Sequence, residues 1–87
     1  MDCVVYRCGK QAEMYLYVRQ GFEVEELPDA LAKRVGQLTE VMSLSLSTER
    51  KLARVDVNNV MQALADQGFY LQMPPDGRVH ARLYSGD

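Results

Sequence analysis

The sequence predicts an α+β (α/β) fold in which helices cover a small mixed sheet of about four strands. Three observations lead to this fold class. Residues 56–75 combine a helical apolar stripe with an apolar strand, and Gly68 separates the two. Runs rich in strand-forming residues occupy positions 3–6 and 14–18. An alternating run, 40–46, follows a short helical segment, which gives the order β-β-α-β-α-β.

The first two predicted strands form a hairpin. In the second strand Tyr15 and Tyr17 lie on one face, and Met14, Leu16 and Val18 lie on the other. The polar residues between the strands predict a longish loop. Because neither strand alternates cleanly between apolar and polar residues, we expect both to be central strands covered on both faces.

The first predicted helix begins at Pro28 and Asp29. Proline fits the first turn because no N–H is needed there, and Asp29 favours the positive end of the helix. Leu31 and Val35 supply the buried side, and Gly36 is expected to end the helix. A helix of about two turns is marginal by itself, so packing must hold it.

The third predicted strand covers residues 40–46. Met42, Leu44 and Leu46 lie on one face, and the other face, which carries Val41, is more polar. The charged residues that follow predict a connection with one turn of helix. Where a helix joins parallel neighbouring strands, we expect the crossover to be right-handed.

The second predicted helix has the clearest boundaries in the chain. Asp56 is the expected N-cap, and Gly68 is expected to take a left-handed conformation just past the helix end. One apolar stripe follows the i, i+3, i+4, i+7 spacing and consists of Val57, Val60, Met61 and Leu64. The apolar strand that follows ends at Pro74 and Pro75.

Length and charge limit the functional classes. The chain has 87 residues and a net charge of −2. We expect a single domain over residues 1–75 and a flexible C-terminal tail over residues 76–87. The charge does not favour a general polyanion binder. Because no long apolar run predicts a membrane span and no secretory signal pattern opens the chain, we expect a cytoplasmic protein.

Several segments together resemble a known family. They are Cys3 with Val5-Tyr6-Arg7, Tyr15-Leu16-Tyr17-Val18, Val41-Met42 with Leu44 and Leu46, Lys51-Leu52-Ala53 with Asp56-Val57, and Gly68 to Pro75. The chain resembles the YcgL family of small proteobacterial proteins over nearly its whole length up to Pro75, and the last segment is the most specific. The resemblance implies an α/β domain with a helix-covered sheet in the cytoplasm. It implies no catalytic or binding residue.

The cysteines and the single histidine do not predict a reactive centre. A structural zinc site needs four ligands, and Cys3, Cys8 and His80 fall short of that set. We expect Cys3 to pack in the core and Cys8 to be a loop thiol. The alternative is a redox role for Cys8, because Arg7 and Lys10 would lower its pKa. His80 lies in the predicted tail, where no general base is held in place, so we predict no metal, no cofactor and no enzymatic activity.

Basic residues provide the candidate binding positions. The candidate anion or RNA contacts are Arg50, Lys51, Arg54, Arg7, Lys10 and Arg19. The first three precede the second predicted helix and flank its positive N-terminus, which favours phosphate. The capping carboxylate partly neutralises that site. The other three are expected at the hairpin loop and its strand end, as a simple anion contact.

Two functional hypotheses follow from the sequence. The first is a non-enzymatic cytosolic adaptor that binds a protein partner, and the alternative is an RNA-associated accessory protein. Tyr15 and Tyr17 share one face, and Tyr70 and Gln72 are expected to share another. Such aromatic stripes cover a core beneath a helix or form an open platform for a partner.

Overall fold

The computed structural model describes residues 1–52 and 55–74. Its elements are β1 (Asp2–Cys8), β2 (Tyr15–Arg19), a 3₁₀ turn (Val24–Glu26), α1 (Asp29–Val35), β3 (Leu38–Ser45), α2 (Val57–Asp66) and β4 (Phe69–Gln72). The predicted fold class and the order β-β-α-β-α-β are confirmed. Over these residues neither α-helix has the length and apolar character that a membrane span requires.

The four strands form one sheet in the order β3-β1-β2-β4. Every pairing in it is antiparallel. The expectation of a mixed sheet is therefore wrong. The reason is the route of the two helical connections. The first carries the chain past β1 and adds β3 beyond it, and the second returns across the sheet to the outer edge of β2. Strands β2 and β3 therefore run in the same direction, but β1 separates them.

The sheet separates two apolar clusters. The cluster under α2 contains Cys3, Val5, Tyr17, Leu46, Val57, Val60 and Leu64. The cluster under α1 contains Cys8, Met14, Leu16, Val18, Leu27 and Val35. We call the two sides of the sheet the α2 face and the α1 face. Because β1 and β2 contribute alternate residues to both clusters, they are the central strands that the sequence predicted.

Helix α2 begins and ends where the sequence predicted. The Asn58 N–H donates to the Asp56 carboxylate over 2.9 Å, which satisfies one of the unbonded donors of the first turn. Beyond the helix, Gly68 has a φ of +96°, and a Cβ there would lie 2.5 Å from Cδ1 of Phe22. Glycine is therefore needed at Gly68 for both its backbone conformation and its contact with an aromatic ring.

Helix α1 also matches its prediction, since it covers Asp29–Val35 and Gly36 follows with a φ of +71°. The connection after β3 differs from its prediction. It contains a β-turn, in which the Arg50 N–H donates to the Ser47 carbonyl over 3.1 Å. Its described residues form no helix. The predicted tail over residues 76–87, with His80, lies outside the described residues.

Candidate protein-binding groove

The tyrosines of β2 and the polar end of β4 lie on one face. Tyr15 pairs with Gln72 and Tyr17 pairs with Tyr70. Directly opposite residues of antiparallel strands share a face, so the expectation of two separate faces is wrong. The Tyr17 hydroxyl donates to Oε1 of Gln72 over 2.9 Å, and the Tyr17 and Tyr70 rings pack edge to face at 6.1 Å. These contacts fix one side of a surface on the α2 face.

Helix α2 covers only part of the α2 face. It packs mainly over β2 and β4, where Val60 and Leu64 are fully buried. On the part of this face formed by β1 and β3, Cys3 and Val5 are still buried, and the exposed apolar surface lies on β3. The exposed fraction is 42% for Val41 and 48% for Met42, which is high for large apolar side chains within a strand.

A β-bulge explains why Val41 and Met42 are both exposed at the same place. Along β1, Val5 pairs with Met42 and the next residue, Tyr6, pairs with Glu40. Val41 is therefore the extra residue on β3, and the strict alternation expected for this strand fails there. Strict alternation would have placed Val41 and Met42 on opposite faces, whereas both contribute to one depression on the α2 face.

This depression is an open groove of about 310 Å³. It is lined by Val5, Tyr15, Tyr17, Val41, Met42, Leu44, Arg50, Lys51, Leu52 and Gln72. We call it the β1–β3 groove. Most of its lining is apolar, and its charged members are two cations from the connection between β3 and α2. Among the described residues that line it, none is Asp or Glu.

The structure brings together some of the predicted basic residues. Arg50 and Lys51 are exposed and line both the groove and the space at the N-terminus of α2. Arg7 is exposed, pairs with Tyr15, and alternates with Val5, so it lies on the same face. Arg54 lies outside the described residues.

The other two predicted basic residues lie elsewhere. Lys10 is in the β1–β2 turn, where its N–H donates to the Val35 carbonyl over 3.2 Å. Arg19 pairs with Cys3, four positions along β2 from Tyr15, which is about 13 Å. Its guanidinium donates to the Leu64 carbonyl over 2.9 Å. The expectation that Arg19 extends the patch at the hairpin loop is therefore wrong, since it lies at the opposite end of the hairpin.

The N-terminus of α2 is less cationic than its basic neighbours suggest. Glu49 and Asp56 line the same space as Arg50 and Lys51. The Asp56 carboxylate already accepts an N–H of the first turn. The two carboxylates oppose anion binding at this point, as the sequence indicated for the cap.

The two cysteines are both buried and neither is in a disulfide. Cys8 is the last residue of β1 and is 2% exposed, so the prediction of a loop thiol is wrong. Burial raises the pKa of the Cys8 thiol to about 11, the opposite of the effect expected from Arg7 and Lys10. Burial is also the largest cause that raises the pKa of Cys3. The described residues contain no cluster of three or more His, Cys, Asp or Glu side chains suited to a metal.

Comparison with known proteins identifies the family. The YcgL domain matches residues 3–75 of the chain. The chain belongs to the YcgL family. A YcgL domain-containing protein of Citrobacter koseri is 45% identical over 75 residues, which is 86% of this chain and 77% of the relative. One from Saccharophagus degradans is 46% identical over 71 residues, which is 82% of this chain and 78% of the relative.

A third relative, Protein YcgL of Salmonella typhi, is 44% identical over 75 residues, 86% of this chain and 68% of the relative. These matches confirm the resemblance that the sequence segments indicated. The names state a family and no activity, so the groove must be interpreted from its own chemistry. The groove itself had one sequence signal, the adjacent apolar pair Val41 and Met42 within an otherwise alternating strand.

Proposed function

We propose that this chain is a non-enzymatic, cytoplasmic protein-binding module that docks a partner in the β1–β3 groove. The observation that carries the proposal is the exposed pair Val41 and Met42 beside the cations Arg50 and Lys51. A contiguous apolar surface rimmed by charge is typical of an interaction site. Burial and a raised pKa make the two thiols unreactive, which is consistent with a non-enzymatic role.

The size of the groove sets the strength of the complex. Val41 and Met42 are each about half exposed, so burial against a partner contributes roughly 1 kcal/mol for each side chain. Tyr15 adds an amphipathic ring that contacts a partner at low conformational cost. Since stable interfaces bury at least about 1,200 Å², the groove alone supports a transient complex of modest affinity.

The test compares groove variants with variants of the opposite face. Wild-type protein, Val41→Ser/Met42→Ser, and the control Ala30→Ser/Ala32→Ser are immobilised and exposed to nuclease-treated proteobacterial lysate. Ala30 and Ala32 are exposed on α1, so their replacement leaves the groove intact. We expect one stoichiometric protein that the control retains and the groove variant loses. Its affinity for each purified variant is then measured by calorimetry.

Two results would contradict this proposal. Equal retention by Val41→Ser/Met42→Ser and wild type would place binding outside the groove. Material that is captured from untreated lysate but is lost after nuclease treatment would show that nucleic acid, and not a protein, was recognised.

A second candidate function is RNA binding as an accessory protein. The observation that favours it is the proximity of Arg50 and Lys51 to the half-buried ring of Tyr15 in one groove. Proteins that bind single-stranded nucleic acids combine aromatic rings with cations, because bases stack on the rings while the cations contact phosphates. Glu49 and Asp56 weaken this candidate because they lie beside the same cations.

A salt titration separates the RNA candidate from the protein-binding one. If three cations contact phosphates, Arg50→Ala/Lys51→Ala/Arg54→Ala should reduce the slope of log affinity against log salt by about 2, at roughly 0.7 per phosphate. Lys33→Ala is the control, because Lys33 is exposed on α1 at the opposite face. An unchanged slope in the triple variant would exclude RNA binding at this position.

A further inference from the structure

The two outer edges of the sheet differ in their ability to accept another strand. Strand β4 has four residues and is followed by Pro74, which donates no backbone hydrogen bond. Strand β3 has eight residues and contains no proline. Within residues 1–52 and 55–74, no strand pairs with the outer edge of β3. Natural sheets protect such edges, so a long exposed one is a candidate for pairing.

The hydrogen-bond register shows which backbone groups of β3 point outward. Met1 and Leu46 exchange both backbone bonds, at 2.7 and 2.8 Å. In an antiparallel ladder every second residue repeats this arrangement, so Leu44 also directs its N–H and C=O toward β1. Ser43 and Ser45 therefore direct their N–H and C=O groups away from β1, toward the open edge.

An added strand at this edge would place its side chains over the groove. Neighbouring strands lie about 4.8 Å apart, and directly opposite residues share a face. Every second side chain of the added strand would therefore lie beside Met42 and Leu44 on the α2 face. Ser43 pairs with Val4 and lies on the α1 face, so its backbone faces the edge while its side chain avoids the groove.

Charge identifies the kind of segment that fits. The groove is lined by Arg50 and Lys51 and by no carboxylate among the described residues. A second copy of this chain, paired through β3 with its groove on the same side, would bring two such cationic pairs together. An acidic segment gains attraction instead. Resting on the protein-binding function proposed above, we infer that the partner binds as a fifth strand on β3, through an extended segment whose groove-facing residues, every second one along the strand, include both apolar and acidic side chains.

The test uses a synthetic extended peptide whose alternate, groove-facing positions carry valine and glutamate and whose intervening positions carry threonine, and the charge control replaces each glutamate by lysine. Ser43→Pro removes one outward N–H and no bond to β1, since proline is accepted on edge strands with the N–H side facing solvent. Ser43→Ala is the matched control that keeps the N–H. We expect the acidic peptide to bind wild type and Ser43→Ala equally and to bind Ser43→Pro about tenfold more weakly.

Two further measurements keep the inference testable if Ser43→Pro fails to fold. Bound acidic peptide should slow hydrogen exchange at the amides of Ser43 and Ser45 in the wild-type chain. Lys51→Glu should weaken binding, whereas Lys33→Glu, with the same net charge but on the opposite face, should not. Equal effects of the two substitutions would attribute binding to overall charge and overturn the acidic-segment inference.

The outcomes separate this inference from the protein-binding proposal. If the natural partner loses affinity for Val41→Ser/Met42→Ser but not for Ser43→Pro, and the two amides gain no protection, the groove binds a partner without strand addition. If neither variant affects the partner, both proposals fail. Failure of wild type to bind the acidic peptide at millimolar concentration would overturn the inference that the partner supplies an acidic segment. Amide protection at Ser43 that rises with protein concentration alone would assign the edge to a second copy.

Discussion

The two faces of the sheet carry similar apolar residues but differ in how much of their surface is covered. On the α1 face, a seven-residue helix and a 3₁₀ turn cover the cluster around Leu16. On the α2 face, a longer helix of ten residues leaves Val41 and Met42 of β3 exposed. The length of a helix therefore does not decide how much of a sheet it covers. Its position does, since α2 lies over β2 and β4 as it crosses to the far edge.

Charge is mixed on both sides, since Lys33 and Arg34 lie on α1 and Glu49 and Asp56 lie beside Arg50 and Lys51, but the groove lining itself differs. The acidic residues Glu23, Glu25, Glu26 and Asp29 lie in and beside the 3₁₀ turn and α1. The cations Arg50 and Lys51 lie by the open groove. In a chain with a net charge of −2, the charged side chains that line the groove are thus both cations. The net charge of the chain does not indicate the charge of the groove lining.

The largest expected effect is the loss of unfolding free energy at buried positions of both faces, compared with the small loss in the open groove. Leu16→Ala on the α1 face and Leu64→Ala on the α2 face should each lower the free energy of unfolding by about 3 kcal/mol, because both side chains are fully buried. Met42→Ala should lower it by no more than about 0.5 kcal/mol. Urea unfolding measures all three. A loss at Met42 equal to that at Leu64 would mean that the groove is closed in solution.

The next effect concerns pH and the α1 face. Burial raises the pKa of the Cys8 thiol from 9.0 to about 11. Because the folded pKa lies above the unfolded one, this thiol contributes stability that is complete below pH 9 and is lost as pH rises toward 11. The loss should reach roughly 2–3 kcal/mol. Urea unfolding at several pH values measures it.

The control for this pH effect is Cys8→Ala, which should show a smaller fall in stability over the same range. Some fall should remain, because burial also raises the pKa of the Cys3 thiol on the other face. Alkylation gives an independent check: native Cys8 should react far more slowly than the unfolded chain. Equal rates would contradict its burial and restore the redox hypothesis.

A pair of glycines tests the contact between the segment after β2, which holds Phe22, and the segment after α2, which holds Gly68. Gly68 and Gly21 both have positive φ, at +96° and +92°. A Cβ at Gly68 would meet the Phe22 ring at 2.5 Å, whereas a Cβ at Gly21 would meet nothing within 4 Å. Gly21→Ala should cost about 1 kcal/mol for the backbone alone, and Gly68→Ala about 2 kcal/mol. Equal losses of unfolding free energy would show that Phe22 moves aside without cost.

Local signals predicted the elements well. Asp56 and Gly68 set the ends of α2 because capping and positive φ are decided by a few neighbouring residues. The strand positions followed from short runs of strand-forming or apolar residues and, for β3, from alternation. Pairing partners were not predicted, because the sequence pattern of a strand is nearly the same at an edge and beside any antiparallel neighbour.

The groove was the least predictable part. The bulge at Val41 depends on where β3 pairs with Val5, which no local pattern of β3 records. The burial of Cys8 depended on β1 running one residue beyond Arg7, and the placement of Arg19 depended on the register of the hairpin. The errors at Val41, Cys8 and Arg19 each came from strand pairing, which the local sequence pattern does not record.

The smallest expected effect tests the charge difference between the faces. Asp56→Ala should lower the unfolding free energy by about 1 kcal/mol, since it removes the cap acceptor for Asn58. Asp56→Asn keeps an acceptor and should change stability by only a few tenths. The asparagine variant also removes a carboxylate beside Lys51. Its affinity for the acidic peptide should therefore rise about twofold, measured by fluorescence polarisation.

The matched control is Asp29→Asn, which removes an exposed carboxylate from the first turn of α1 on the closed face. It changes the net charge by the same amount, so it should leave the peptide affinity unchanged if the charge beside the groove is what matters. An equal rise in both variants would attribute the attraction to the whole molecule. The two faces would then differ in apolar exposure alone, and the cations beside the groove would have no part in choosing the partner.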